Sequence, residues 1–345
     1  MNIVVLCGGT SSEREVSLVT GEQVCRALRE KKDNAVLLDA FIGCDSKKAS
    51  EFFSNKEYNI EKELEYIKKQ SKDIEKLKKS RKEFFGPSVL ELCKMADIVF
   101  LALHGANGED GRVQAAFDLM GIRYTGSDYL GSAMAMNKAV TKKIFKAAGV
   151  PTAKSFSVKK NHYENIEDYG MSFPVVVKAN CGGSSIGVYI VNNEQEYKEA
   201  LDNAFLLDSE AVVEAYIRGR EFSVGVIDYK PLPIIEIIPK EGFYDYENKY
   251  KPGATIDQCP AKLPEDVEIK MMQAAKDAAK ALGLSVYCRV DILTDGEYNC
   301  YCLEANTLPG MTPTSLLPQE ALAIGMDFPS LCRYLVEVSL KKYGI

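Results

Sequence analysis

Two apolar runs near the C-terminus, SVYCRVDILT and EYNCYCLEAN, flank the dipeptide Asp295-Gly296, and Asp-Gly between such runs is the strongest short signal for a β-hairpin. A hairpin fixes which side chains share a face, so this signal constrains the fold more than any other. Side chains alternate along a strand, which puts Arg289 and Asp291 on one face of the first strand and Glu304 and Asn306 on one face of the second. Pairing across a two-residue turn sets Asp291 opposite Cys300 and gathers all four polar groups on the same side. In that register Glu304 lies roughly 13 Å from Asp291 at ~3.3 Å per residue. A turn wider by two residues keeps the face and shortens the gap. Burying two carboxylates, an amide and a guanidinium together is costly without compensation. Two readings meet that cost: a metal ion joining the acids to substrate phosphates, with the arginine stabilising developing negative charge, or an internal salt bridge from Arg289 to one of the acids.

The N-terminal part has a different rhythm. NIVVLCGG is a short apolar strand closed by glycines, followed by an amphipathic stretch from Glu15 to Lys31 with Val16, Val19, Val24, Ala27 and Leu28 on one side. ADIVFLALHG and RVQAAFDLMG repeat that order, and GIRYTG reads as a further short strand. Alternation of strand and helix predicts a parallel α/β sheet, with ligands at the carboxyl ends of its strands. Between these units, NIEKELEYIKKQSKDIEKLKKSRKE carries Ile60, Leu64, Ile67, Ile74 and Leu77 at helical spacing and reads as a solvated surface helix, with a partner-binding helix as the alternative. Ser132–Ala148 reads as a helix stopped by Gly149 and Pro151. From there PVVVKAN, GVYIVN, AVVEAYI, EFSVGVID and PLPIIEII join the hairpin as strands, with one clear helix around KMMQAAKDAAKALG. That half is α+β and largely antiparallel. Boundaries near Gly126 and Ile217 divide the chain into 1–126, 127–217 and 218–345.

Several loops between these elements suit a ligand. PVVVKANCGGSSIGVYIV joins two strands through glycines and serines, with Lys178 ending the first. Backbone N–H groups and hydroxyls in such a loop can cradle phosphates, although a plain glycine-rich hairpin accounts for it equally. A P-loop is excluded because GxxxxGK[ST] is absent. LEANTLPGMTPTSLLP leaves the acidic face irregularly, so the Ser315 hydroxyl and the Gly310 N–H are candidates for a carboxylate or an oxyanion. KEGFYDYENKYKPG, carrying Lys249 and Tyr250, reads as a mobile cover or as a surface loop with incidental tyrosines. In GGTSSEREVSL, Glu13 stands where an acid offsets a helix dipole, and Ser12 with Glu15 matches a capping box. His104, after an apolar strand, is a structural group or a ligand.

Composition narrows the classes. With 345 residues and 46% hydrophobic content the chain supports two or three domains with separate cores. Its net charge of −6, without a basic stripe interleaved with aromatics, argues for small-molecule partners over nucleic acid. Ten scattered cysteines without a signal peptide read as reduced thiols of a soluble cytoplasmic protein, and no apolar run reaches the ~20 residues of a membrane span. Two histidines and no repeated CxxC give no support for a structural zinc site.

Taken jointly, GGTSSEREVSL, LALHGANGEDG, MNKAVTKKIFKAAGVPT, VVVKANCGGSSIGV, GFYDYENKY, CRVDIL and LEANTLPGMTPTSL resemble the successive signatures of the D-alanine:D-alanine ligases. The resemblance spans nearly the whole chain outside Cys44–Glu83. It implies an ATP-grasp fold with an N-terminal parallel α/β (pre-ATP-grasp) domain, in which ATP lies between the central and C-terminal domains. Two Mg²⁺ ions, replaceable by Mn²⁺, would join its phosphates to Asp291, Glu304 and Asn306. Lys138 and Lys178 would contact phosphates, Lys249 would approach the transferred phosphoryl group and Ser185 would belong to the ATP site; Glu214, Ala215 and Ile217 would line the adenine site and Glu221 would hold the ribose. Glu13 would bind the first ammonium group and join Ser184 and Tyr250 in a hydrogen-bonded set. His104 would lie near the first D-alanine, Ser315 and Leu316 near the second, and Arg289 with Gly310 would stabilise the oxyanion.

The resemblance also implies a homodimer acting in peptidoglycan precursor synthesis. The chain departs from the family pattern at Ala179, where proline is familiar, and at Cys181-Gly182. Tyr250 favours an amine nucleophile over the hydroxyl of D-lactate in a depsipeptide-forming ligase, and a D-serine ligase of the same fold stays as the alternative. A nucleotide-binding regulatory protein has no need of an oxyanion stabiliser, and a dinucleotide-dependent oxidoreductase lacks its GxGxxG here.

Overall fold

The structure is a computed structural model and describes residues 1–45, 51–54, 58–183, 186–240 and 255–345. They form two compact units. The first comprises Met1–Ala133, Leu284–Cys288 and Thr307–Ile345, the second Met134–Gly283 and Arg289–Asn306.

In the first unit β1 (Asn2–Cys7) runs between β2 (Asn34–Asp39) and β3 (Ile98–Leu101), parallel to both. Residues Ile3–Cys7 are fully buried, the signature of a parallel strand covered on both faces. Helix α1 (Arg14–Glu30) packs so closely that a Cβ on Gly21 would stand 2.6 Å from Cys7 Cβ. Its buried face runs through Ser17, Leu18, Gly21, Val24, Cys25 and Leu28, whereas Val19, expected inside, is 50% exposed. The capping box is not formed either: Glu13 is the N-cap and no side chain caps the helix. GIRYTG contributes a single bridge, Val99 to Tyr124, rather than a strand.

The charged tract forms α2 (Ile60–Ser71) and α3 (Ile74–Ser80). Helix α2 starts at Asn59, whose side chain accepts from Lys62 N, and it buries Ile60, Leu64 and Ile67. Thus it is an amphipathic helix docked on the unit; α3 buries none of its residues. Helices α4 (Val89–Met95) and α5 (Arg112–Met120) flank β3 in sequence, and α6 (Tyr129–Met136) follows. Helix α11 (Phe328–Lys341), preceded by α10 (Leu316–Ala323), packs on α1. Arg333 closes that contact with an ion pair to Asp33.

The second unit begins with α7 (Lys138–Ala148), separated from α6 by Asn137, whose side chain accepts from Val140 N. The single helix read from Ser132 to Ala148 is therefore two, because Asn137 satisfies a first-turn N–H that a continuous helix would bond internally. Gly149 ends α7 in the left-handed conformation, as expected. One sheet has the order β4 (Ser155–Lys159), β7 (Glu210–Ala215), β5 (Val175–Ala179), β6 (Val188–Val191), all antiparallel. Helix α8 (Glu194–Ala204), which the sequence reading passed over although Tyr197, Ala200, Leu201 and Ala204 recur at helical spacing, covers it with Tyr197 and Leu201 against Val158, Val175, Val177 and Val213.

The other sheet, among the described residues, orders β11 (Thr255–Gln258), β10 (Ile235–Pro239), β8 (Arg220–Ile227), β12 (Tyr287–Thr294), β13 (Cys300–Asn306), with β9 (Lys230–Pro231) paired to β8. Helix α9 (Glu265–Ala281) buries Val267, Met271, Ala275 and Ala278.

The β12–β13 hairpin departs from the two-residue turn. Thr294 pairs with Cys300, so the loop holds five residues, three more than the expected two. A bulge then shifts the register once more between Asp291 and Ile292, leaving Leu303 as the extra residue. Three plus one is four, an even number, so the facing of the inner half is preserved and Asp291 stands directly opposite Glu304, Arg289 opposite Asn306. The 13 Å gap of the tight-turn register is gone.

Candidate active site

In the first unit the groups singled out from the sequence gather at the carboxyl ends of β1 and β3. Glu13 Oε2 lies against Gly105, where an added Cβ would meet it at 2.7 Å. Ser11 donates to the His104 carbonyl (2.7 Å), and the His104 ring bonds Thr20 Oγ1 through Nε2 at 2.9 Å. Its Nδ1 is 4.0 Å from Glu109 Oε1, while the other Glu109 oxygen accepts from Gly105 N. Glu13 therefore turns its carboxylate to the histidine loop rather than to its own helix. Thr307 Oγ1 donates to the Glu109 carbonyl and so ties the 307–316 loop to the same place. In that loop Ser315 Oγ accepts from Thr312 N, a Cβ on Gly310 would stand 3.0 Å from Ser315 Oγ, and Leu316 opens α10.

The second unit holds a cavity of about 360 Å³ walled by both of its sheets. Lys138, Lys178, Glu214, Ala215, Ile217, Glu221, Asp291 and Glu304, all expected at an ATP site, line it. Arg289 and Asn306 reach Asp291 instead. Arg289 forks onto its two oxygens at 2.8 and 2.9 Å, and Asn306 Nδ2 donates to Asp291 Oδ2 at 3.0 Å. The internal salt bridge considered from the sequence thus forms, and it coexists with an open cavity. Ser184, Ser185, Lys249 and Tyr250 lie outside the described residues.

Charge in this cavity is arranged in layers. Glu214, only 2% exposed, sits between two lysines: Oε1 is 3.1 Å from Lys178 Nζ and Oε2 is 3.1 Å from Lys142 Nζ. Burial pushes the Glu214 carboxyl up, but Lys142 and Lys178 outweigh it and hold the group below its usual value. Burial likewise pulls Lys178 down, yet Glu214 and Glu304 leave it raised, whereas for Lys142 burial wins and the amine is lowered. Lys138 Nζ donates to the Gly182 carbonyl at 2.6 Å and lies 3.5 Å from Glu304 Oε2.

The glycine-serine loop is anchored at its start by Asn180, which is 3% exposed. Its side-chain oxygen accepts from Ala139 N and its carbonyl from Lys138 N. Cys181 N donates to Asp208, so the loop is tied down at the two residues that follow Ala179 without the familiar proline.

For a divalent cation, Asp291 and Glu304 face each other across the hairpin, with Asn306 beside them. The described residues contain no group of three or more acidic, histidine or cysteine side chains placed for a metal. Two carboxylates and an amide nevertheless suit Mg²⁺, which takes few protein oxygens and completes its shell with phosphate and water. The donor set fits an ion carried by a nucleotide.

Sequence reasoning passed over Tyr216, Arg220 and Glu236 on the cavity wall. Tyr216 sits between two residues that had been named. Arg220 and Glu236 form a bidentate pair at 2.7 Å across β8 and β10, and only the sheet register joins them. Lys142 was passed over as well, although its place one helical turn after Lys138 puts it on the same helix face.

Comparison with known proteins agrees with this geometry. Residues 2–127 match the family model for the D-ala D-ala ligase N-terminus and 144–337 that for the C-terminus. The chain is 42% identical to a D-alanine–D-alanine ligase of Pediococcus pentosaceus, covering 99% of each, and 41% identical to one of Lacticaseibacillus casei, covering 100% of this chain and 97% of that one. Among solved structures, a D-alanine–D-alanine ligase of Bacillus anthracis complexed with ATP superposes with a TM-score of 0.77 at 34% identity, over 99% of this chain and 97% of that one. The fold is accordingly ATP-grasp, with a parallel α/β sheet at the N-terminus. Both halves match family models and full-length relatives match end to end, and so the chain belongs to the D-alanine–D-alanine ligase family, a family of ATP-dependent ligases.

Proposed function

We propose that this protein joins two D-alanines into D-alanyl-D-alanine at the expense of ATP. The observation that carries the reading is the cavity of the second unit, lined by Lys138 and Lys178 together with the facing carboxylates Asp291 and Glu304. Lysines attract phosphate oxygens, while paired carboxylates repel them unless a cation intervenes. A magnesium nucleotide satisfies both.

On this reading adenine rests against Ala215, Tyr216 and Ile217, and Glu221 holds the ribose. Asp291, Glu304 and Asn306 hold Mg²⁺, two ions by family likeness, which when bound neutralise charge on the transferring phosphoryl group. The carboxylate of the first D-alanine, its ammonium held by Glu13, attacks the γ-phosphorus, ADP leaves, and an acyl phosphate forms. Lys249 approaches the transferred group, and Glu13, Ser184 and Tyr250 close the site as a hydrogen-bonded set with His104 near the first substrate. The amine of the second D-alanine, seated by Ser315 and Leu316, attacks the acyl carbon. The resulting oxyanion is stabilised by Arg289 and the Gly310 N–H; phosphate departs and the amine loses its proton.

Peptidoglycan precursor synthesis in the cytoplasm by a homodimer, with chain divisions at 126 and 217, completes the reading. No helix among the described residues is long and apolar enough to cross a membrane.

Incubation with ATP, Mg²⁺ and D-alanine should release phosphate and yield the dipeptide by mass. Arg289→Ala should lower kcat on the order of 10²–10³-fold, the usual loss of an oxyanion donor. Absence of product with D-alanine, D-serine and D-lactate alike retires the assignment.

A further inference from the structure

Lys142 lies behind the cavity wall. It is 4% exposed and is held by Thr152 Oγ1 at 2.8 Å, by the Cys302 carbonyl at 3.3 Å and by Glu214 Oε2 at 3.1 Å. A lysine so enclosed costs several kcal/mol to desolvate, and the Cys302 carbonyl that it touches is already satisfied by Thr152 Oγ1, which donates to it at 2.7 Å. Glu214 is the partner that needs a cation, and it has two.

We propose that Lys142 is a positioning residue for nucleotide phosphate, acting through Glu214 to keep Lys178 net positive toward the cavity. The proposal rests on the nucleotide reading above. The charge count carries it. Lys142 and Lys178 share the one carboxylate, which leaves a net charge of +1 on these three groups. Without Lys142, Lys178 and Glu214 form a closed neutral pair, and the lysine amine is drawn from the phosphates to Glu214. Lys142 also stands one turn after Lys138, which reaches Gly182 and Glu304. One helix face thereby supplies a cation to each sheet, one directly at the wall and one behind it.

A charge effect of this kind acts on phosphates and spares the nucleoside. Calorimetric titration of the full-length protein with MgADP and, separately, with adenosine distinguishes it from a general packing role. In Lys142→Gln, which keeps a polar group near Thr152, MgADP affinity should fall about tenfold, as for loss of one nearby charge at intermediate dielectric. Adenosine affinity should stay within about twofold. Lys142→Met, apolar and of similar length, is a second variant read in the same way, and Lys142→Arg, always charged, should restore most of the MgADP affinity. An equal loss for both ligands, no loss for either, or failure of arginine to rescue overturns the proposal. Wild-type protein that binds no MgADP would instead remove the nucleotide reading itself, so the two failures are told apart.

Discussion

Asp291 on β12 stands directly opposite Glu304 on β13, and it does so because a five-residue loop and a one-residue bulge add to an even displacement. The loop by itself would turn Glu304 to the other face of the sheet, since one residue of slip reverses every side chain. Leu303, the extra residue at the bulge, keeps both carboxylates on the cavity side.

Deletion of Leu303 removes the bulge while leaving Ile292 opposite Cys302, so Glu304 should face Asp291 in regular register and stay on the cavity side. Far-UV circular dichroism should change little, and Mg²⁺-dependent binding of ADP should stay well above that of Glu304→Ala. Binding that falls to the level of Glu304→Ala would mean that facing alone does not set the acids and that the bulge geometry is needed as well.

Glu214 predicts an acid-dependent stability difference. Its folded-state pKa is lowered by Lys142 and Lys178 from a usual value of 4.5. The ion pairs therefore stabilise fully above pH 4.5 and lose their effect as pH falls through the folded value. Glu214→Gln strands two buried lysines and should cost ~3–5 kcal/mol at pH 7. That deficit should shrink as the wild-type carboxyl takes up its own proton. Urea denaturation at pH 7 and near pH 3 reads the gap; a gap unchanged by pH would show that Glu214 is not charged in the folded protein.

Lys342 predicts an alkaline counterpart in the first unit. It donates to the Gly126 carbonyl at 3.0 Å and lies 3.8 Å above the Tyr124 ring. Burial lowers its pKa from 10.5 to about 8 against the pull of Asp118 and Asp128. A depressed folded value gives stability that is complete above 10.5 and fades as pH falls through about 8. The melting temperature of wild type minus that of Lys342→Met should thus rise between pH 8 and 10.5. A flat or falling difference across that window would contradict the burial effect.

Much of the fold was legible because hydrophobic period and turn chemistry act locally. The apolar runs became β1, β3, β5, β7, β8 and the hairpin strands, and Gly149 ended α7 where its left-handed conformation was needed. Local signals failed where a distant partner competed. Ser12 and Glu15 had a capping pattern, but Glu13 faces Gly105 and the box stays open. Val19 fitted the periodic stripe, but α1 rolls so that Gly21 meets Cys7.

By itself the sequence determined the alternation of parallel and antiparallel parts, the shared face of Arg289 with Asp291 and of Glu304 with Asn306 within each strand, and the order of motifs that marks the family. Only the tertiary structure decided the presentation of those residues on one side by the two strands with Asp291 opposite Glu304, the sharing of Glu214 by two lysines and the pairing of Arg220 with Glu236. Periodicity fixes the direction of a side chain because it depends on neighbouring dihedral angles. Register, bulges and charge pairing depend on segments separated by tens of residues, whose meeting is settled by the packing of the whole unit.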